Sequence, residues 1–248
     1  MLKRILTVTT ALFALGGAAY AADLPSRSAP PVYVPPPPIF TWTGVYLGGQ
    51  IGYQWGKSST GLTAAGGTLG EPGYSPNGVI GGAHIGYNWQ VAQFVLGLEG
   101  DVDGAGYRGS AVDAGTGLLF TTRETVEGSV RGRIGYAWDR VLIYGTGGVA
   151  FASIRNGYTN QITGASDTFT TGRVGWTAGG GLEYALTNNW SVRAEYRYTD
   201  FGSYSQFLAN STVGTFSARK HETDNAVRVG FSYKFDTLAA PPPIVAKY

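Results

Sequence analysis

The sequence spells one five-residue phrase three times: Ile51-Gly52-Tyr53-Gln54-Trp55, Ile85-Gly86-Tyr87-Asn88-Trp89 and Ile134-Gly135-Tyr136-Ala137-Trp138. Each copy closes a stretch in which every second residue is bulky and apolar and the residues between are small or polar. A period of two belongs to a strand with one apolar face and one polar face. A soluble sandwich turns such faces inward onto a core. A membrane barrel turns them outward onto lipid and places Tyr and Trp where hydrocarbon gives way to headgroups. The character of the polar face decides between the two.

Alternation of this kind recurs in eight segments: Thr43–Gly56, Gly78–Trp89, Phe94–Tyr107, Arg123–Trp138, Val141–Ile154, Thr170–Tyr184, Trp190–Thr199 and Asn225–Phe235. Their connections alternate in length. Gln90–Gln93, Asp139-Arg140 and Ala185–Asn189 are tight turns, while 57–77, 108–122, 155–169 and 200–224 are read as long loops. An even strand number with short turns at one end and long loops at the other is the pattern of a transmembrane barrel.

The face opposite the apolar residues is charged. It carries Glu99, Asp101, Asp103, Glu127, Glu183 and Glu195 with Arg131, Arg133, Arg173, Arg193, Arg197, Arg228 and Lys234. One basic residue facing lipid at mid-depth costs about 2–4 kcal/mol, and a dry sandwich core would tolerate the set no better. Inside a narrow barrel, arginine forks and carboxylates can pair across the lumen. The fold expected is therefore all-β, an eight-stranded antiparallel up-and-down transmembrane β-barrel whose interior is filled by side chains. Inward glycines (Gly48, Gly52, Gly82, Gly86, Gly179, Gly181) are expected to leave some room. Tyr53, Trp55, Tyr87, Trp89, Tyr136, Trp138, Trp176, Tyr184, Trp190, Tyr196 and Tyr233 are expected to form two aromatic girdles.

The ends of the chain differ from its middle. Lys3 and Arg4, an apolar run from Ile5 to Ala18 and an Ala19-Tyr20-Ala21 exit read as a secretory signal peptide over residues 1–21. Residues 22–41, with the run Pro35-Pro36-Pro37-Pro38, read as a stiff polyproline tether on the periplasmic side. The barrel is assigned to 42–235, followed by a short Pro-rich extension over 236–248. The chain has no cysteine, which removes disulfides and thiolate metal sites. A formal net charge of +2 without a basic stripe speaks against nucleic acid. Past the signal, no apolar run reaches the roughly 20 residues a spanning helix needs.

Residues along the chain resemble a known family. Ala22-Asp23-Leu24-Pro25 after the signal, then Trp42-Thr43-Gly44-Val45-Tyr46-Leu47-Gly48-Gly49, Gly97-Leu98-Glu99-Gly100-Asp101, Gly128 to Tyr136, and the closing Val227 to Phe235 are similar to motifs of the small outer-membrane proteins of alphaproteobacteria. That family includes the 25 and 31 kDa surface antigens of Brucella and the haemin-binding proteins of Bartonella. The resemblance implies an eight-stranded outer-membrane barrel and surface antigenicity; it does not imply catalysis. It also makes Phe231, Tyr233 and Phe235 the candidate signal for the barrel assembly machinery, with Tyr248 as a weaker alternative terminus. Members usually stop at the final strand's aromatic residue, and here thirteen residues follow Phe235.

Sharper chemistry finds little support. The two histidines, His84 and His221, fall on different segments without a third ligand nearby. Haem on a histidine and a loop tyrosine is an alternative carried by the resemblance, and no other cofactor or metal is expected. Glu99, Asp101 and Asp103 line one strand face in steps of about 7 Å rather than encircling an ion. No motif joins Ser, His and Asp into a catalytic set, so no enzyme is expected. The expected role is structural and antigenic, with loops offered to the environment or a host; a narrow porin-like channel or a haem receptor is the alternative. Expected partners are outer-membrane lipid and lipopolysaccharide, the assembly machinery, and host or peptidoglycan contacts.

Overall fold

The computed structural model describes residues 40–235 apart from 65–66, 71–72, 114–116 and 212–213. The signal peptide, most of the proline tether and the C-terminal extension lie outside the described residues. The strands are β1 (Gly44–Ala64), β2 (Gly67–Gly70), β3 (Gly73–Tyr74), β4 (Asn77–Val91), β5 (Phe94–Ala105), β6 (Arg108–Asp113), β7 (Leu118–Trp138), β8 (Val141–Asn160), β9 (Ser166–Ala185), β10 (Trp190–Ser211) and β11 (Gly214–Lys234).

Around the ring β1, β4, β5, β7, β8, β9, β10 and β11 each pair antiparallel with the next, and β11 closes on β1 from Tyr46↔Lys234 to Thr63↔Ser217; the short β2 and β3 pair with β1. The result is a closed ring of eight strands, with β6 prolonging β5 beyond Gly106. Closure removes the open edges that lipid cannot satisfy. Outward positions are apolar, among them Leu47, Ile51, Ile85, Leu98, Val130, Ile134, Ile143, Val174, Leu182, Val192 and Val229, all exposed. Inward positions hold the buried residues. The crowded Leu142-Ile143-Tyr144 run resolves with Ile143 outside and its two neighbours buried.

Aromatic residues mark two levels on the outer wall. Tyr87, Trp89, Tyr136, Trp138, Tyr184, Trp190 and Tyr233 ring the end with the tight turns, joined by Phe94 and Phe235. Tyr53, Trp55, Trp176 and Tyr196 mark the other level, joined by Tyr198, whose ring lies 5.4 Å from that of Trp176. Trp190 and Tyr198 are about 26 Å apart along β10 at 3.3 Å per residue. Tilted by about 40°, that length rises about 20 Å, and the rings at each end extend it toward the roughly 25 Å apolar band of an outer-membrane barrel.

The long connections differ from the sequence reading. Most of 57–77, 108–122, 155–169 and 200–224 is strand, because β1, β7, β8, β9, β10 and β11 continue well past the second girdle as paired hairpins. These rims are rich in Ser, Thr and Gly, so their alternation carries little hydropathy contrast. The backbone ladder continues regardless, since every buried amide needs a partner.

A bulge between Glu124 and Val126 changes the parity of β7. Below it the odd residues Glu127, Ser129, Arg131 and Arg133 face inward; above it the even residues Leu118, Phe120, Thr122 and Glu124 do. The extra residue flips the side-chain register on one side. Arg123 and Thr125 consequently point outward.

Candidate functional site

The lumen is the candidate site, and its lower part is a network of crossing ion pairs. Arg131 is fully buried, with its guanidinium 2.6 Å from Glu99, 3.3 Å from Asp101 and 2.8 Å from Glu195. Arg193 stands opposite Glu183 in register, yet its guanidinium crosses the lumen to Glu99 at 2.6 Å and donates to Gln50 at 2.6 Å. Arg197 forks onto both oxygens of Asp101, at 2.9 and 3.2 Å, and lies 3.2 Å from Glu195. Arg228 lies 2.5 Å from Asp103, 3.5 Å from Asp101 and 3.6 Å from Glu127. Arg133 pairs with Glu183 and lies 3.7 Å above the Tyr144 ring.

Hydroxyls fill further acceptor positions. Tyr46 donates to Glu99 at 2.8 Å, Tyr144 to Glu195 at 3.1 Å, Ser129 to Asp101 at 2.5 Å and Ser191 to Glu183 at 2.6 Å. Charge-assisted bonds of this kind tie β1, β5, β7, β9, β10 and β11 together through the centre.

Inward glycines do not leave open space, contrary to the sequence expectation. A Cβ on Gly86 would run into the Tyr46 ring, one on Gly48 into His84, and one on Gly181 into the Tyr144 ring. Each glycine is a slot that lets a large polar side chain lie flat against the wall.

The residues expected in the network do not all join it. Glu99, Asp101, Glu127, Arg131, Arg133, Glu183, Arg193, Glu195, Arg197 and Arg228 lie together, with Asp103. Arg173 instead sits higher, 3.2 Å from the centre of the Tyr204 ring. Lys234 lies at the turn end, where its ammonium bonds to the Thr41 carbonyl and stands 4.9 Å from the Phe40 ring.

That end is closed by a segment the sequence did not mark as part of the interior. Trp42 is buried with Val95, Ala137, Leu142, Tyr144 and Ala185, its indole donating to the Asp139 carbonyl at 3.2 Å. Phe40 packs beneath it, edge-on at 5.2 Å, with the Arg140 guanidinium 5.2 Å from the Phe40 ring.

Above the second girdle lies a different environment. Asp224 pairs with Gly56, one step beyond Trp55, and Glu124 lies beyond the bulge, so both stand above the apolar band. Glu124, Glu222 and Asp224 are buried there, and neither oxygen of Glu124 has a hydrogen-bond partner among the described residues. Burial, reinforced by Glu127, Asp224 and Glu222, pushes Glu124 well above the usual carboxylate range. Burial also raises Glu222, against the pull of Lys220 and Arg173. Asp224 is pushed up to about 7 by burial, opposed by the Tyr107 hydroxyl that donates to it and reinforced by Glu127 and Glu222.

Lys220, which pairs with Glu222, places its hydrogen bonds on neutral oxygens. It donates to Asn156 at 2.6 Å, Thr122 at 3.0 Å and Tyr74 at 3.2 Å, and lies 3.9 Å from Glu222. Tyr74 also bonds to Thr122, so from β3, which pairs with β1, its side chain reaches across the lumen at this height. The parity change at the bulge hid Glu124 from sequence reasoning. Glu222 and Asp224 were missed because their segment was read as a loop.

The histidines face different compartments. His84 is buried in the lumen, its Nε2 2.9 Å from the Ser232 hydroxyl, whereas His221 is exposed on the outer wall beside Ser203. Among the described residues no group of three His, Cys, Asp or Glu side chains is arranged to hold a metal.

This architecture matches known proteins. The chain is 35% identical over 243 residues to the 31 kDa outer-membrane immunogenic protein of Brucella melitensis, covering 93% of this chain and 98% of that one. It is 37% identical over 235 residues to the 25 kDa outer-membrane immunogenic protein of Brucella abortus, covering 94% and 99%. The crystal structure of the outer membrane protein OprG from Pseudomonas aeruginosa superposes with a TM-score of 0.50 at 13% identity, over 78% of this chain and 96% of that one, a likeness of fold alone. The family model for the outer membrane protein beta-barrel domain matches residues 9–235, and the chain is a member of that family of outer-membrane proteins.

Proposed function

We propose that this protein is a closed, non-enzymatic barrel that reinforces the outer membrane and displays its extended hairpins at the cell surface. The observation that carries this reading is the filled lumen. Ion pairs cross its middle, Trp42 packs into one end, and Tyr74 with Lys220 spans the other. A conducting pore of this width would need a continuous wet path lined by charge left free to meet ions. Here the arginines of the middle are engaged by carboxylates.

The hairpins beyond the second girdle offer surface to the environment, a host or antibodies, in keeping with relatives named for their immunogenicity. Surrounding lipid and lipopolysaccharide, contact with peptidoglycan through the proline tether, and reading of Phe231, Tyr233 and Phe235 by the assembly machinery belong to the same proposal. Tyr233 packs edge-on against Trp190 and Phe235, each at 5.1 Å, on the outer face at the turn end. Haem is the weaker alternative, because His84 is sealed inside and the exposed His221 bonds to Ser203 and stands opposite Ser59.

The test is single-channel recording of the refolded protein in a planar bilayer, with haemin titrated on the same sample. Absence of steady conductance and of a haemin spectral shift is expected. Reproducible ion-selective steps would overturn the closed-barrel reading, and a saturable Soret shift would favour the receptor.

A further inference from the structure

Three arginines stand in one row on the outer wall just above the apolar band. Arg108 on β6 pairs in register with Arg123 on β7, and Arg123 with Arg155 on β8. All three point away from the lumen and are exposed. Arg123 is in the row only because of the bulge at Glu124 and Val126; strict alternation from Arg131 and Arg133 would have turned it inward. Like charges placed directly opposite one another repel. Among the described residues none of the three has a carboxylate or hydrogen-bond partner.

The row borders a groove of about 510 Å³. Its other walls come from Gly109, Ser110, Thr121, Thr122, Gly157 and Thr168. At its centre a Cβ on Gly157 would collide with the Thr121 hydroxyl, so this glycine keeps the space open. Guanidinium groups beside hydroxyl donors form a surface suited to tetrahedral or planar oxyanions.

Height selects the source of the anion. On β8 the outward positions below Arg155 are Ser153 and then the exposed Phe151, four residues down, and on β7 the residues below Arg123 are Thr125 and the exposed Val126. The groove thus opens sideways at the level where acyl chains give way to headgroups. We propose that Arg108, Arg123 and Arg155 form a binding site for the anionic headgroup of an outer-leaflet lipid, a phosphorylated glycolipid of the lipid A type. The inference rests on the barrel standing in the outer membrane with these rims outward, but not on whether its lumen conducts.

The site is tested with the detergent-solubilised full-length protein, reading retained lipid by native mass spectrometry. The probes are lipid A, a neutral glycolipid of matching chains, and inorganic phosphate. The wild type is expected to prefer lipid A over the neutral glycolipid by at least about tenfold, the scale of two or three charge-assisted bonds. The R108Q/R123Q/R155Q protein should lose that preference, and Arg123→Gln alone should lose most of it should the triple variant fail to fold. Lys57→Gln, which removes an outward cation on β1, should keep it.

Equal retention by wild type and variants would overturn the site. Displacement of lipid A by millimolar inorganic phosphate would overturn the lipid assignment in favour of a soluble anion. Conductance recorded on the same variants keeps a failure here distinct from a failure of the closed-barrel reading.

Discussion

The middle and the rim of the lumen solve the same problem in opposite ways. Both bury ionisable side chains inside a tube too narrow for bulk water. In the middle every arginine is met by at least one carboxylate, and Arg131 by three. At the rim, Glu124, Glu222 and Asp224 crowd together while the nearby Lys220 spends its hydrogen bonds on neutral oxygens. The middle therefore balances charge with opposite charge, whereas at the rim burial raises all three carboxyl groups above their ordinary range. A barrel can thus carry a rigid girder and a titratable collar on the same strands.

Breaking the girder should have the largest effect. Arg131→Met leaves Glu99, Asp101 and Glu195 short of a common partner. It is expected to lower stability by about 3–5 kcal/mol, as removal of one member of a buried ion pair does, measured as the urea midpoint of the refolded protein. Trp42→Ala comes next. Emptying that pocket should cost about 3 kcal/mol, with a rise in bilayer conductance as the independent check that the turn end has opened. Gly86→Ala forces Tyr46 off its bond to Glu99 and should cost about 1–3 kcal/mol, followed by thermal loss of the gel-mobility difference between folded and boiled protein.

The collar should give the smallest and most diagnostic change. Asp224 has a folded pKa of about 7 against about 3.9 unfolded, so the folded state holds the extra proton between these values. Its contribution is fully present below about pH 4 and is lost as pH rises through 7. Asp224→Asn is expected to flatten the stability profile across that window while leaving the Arg131 effect unchanged. An unaltered slope would show that the collar does not titrate as a unit.

What the sequence revealed followed the contrast between neighbours. Trp190, Val192, Ala194 and Tyr196 alternate with Ser191, Arg193, Glu195 and Arg197, so both the strand and its charged face could be read directly. The rims could not, since neighbours such as Thr121 and Thr122 look alike although the first faces out and the second faces the lumen. The bulge was hidden because Arg123, Glu124 and Thr125 offer no hydropathy cue for an inserted residue, yet it decides which of them faces the lumen. Trp42 precedes a strand as a girdle residue would, and only the tertiary path shows that it turns inward.

The seam between the first and last strands has a consequence for how such a chain can be completed. Lys234 reaches the carbonyl of Thr41, 193 positions away, and the Phe235 amide donates to the Val45 carbonyl at 2.8 Å. Until β11 arrives, β1 presents an open row of amides and carbonyls, and Phe40 lacks one of its two cations. The zipper and the stopper thus share their last tooth: a chain cut short of its final strand would have neither a closed wall nor a secured base.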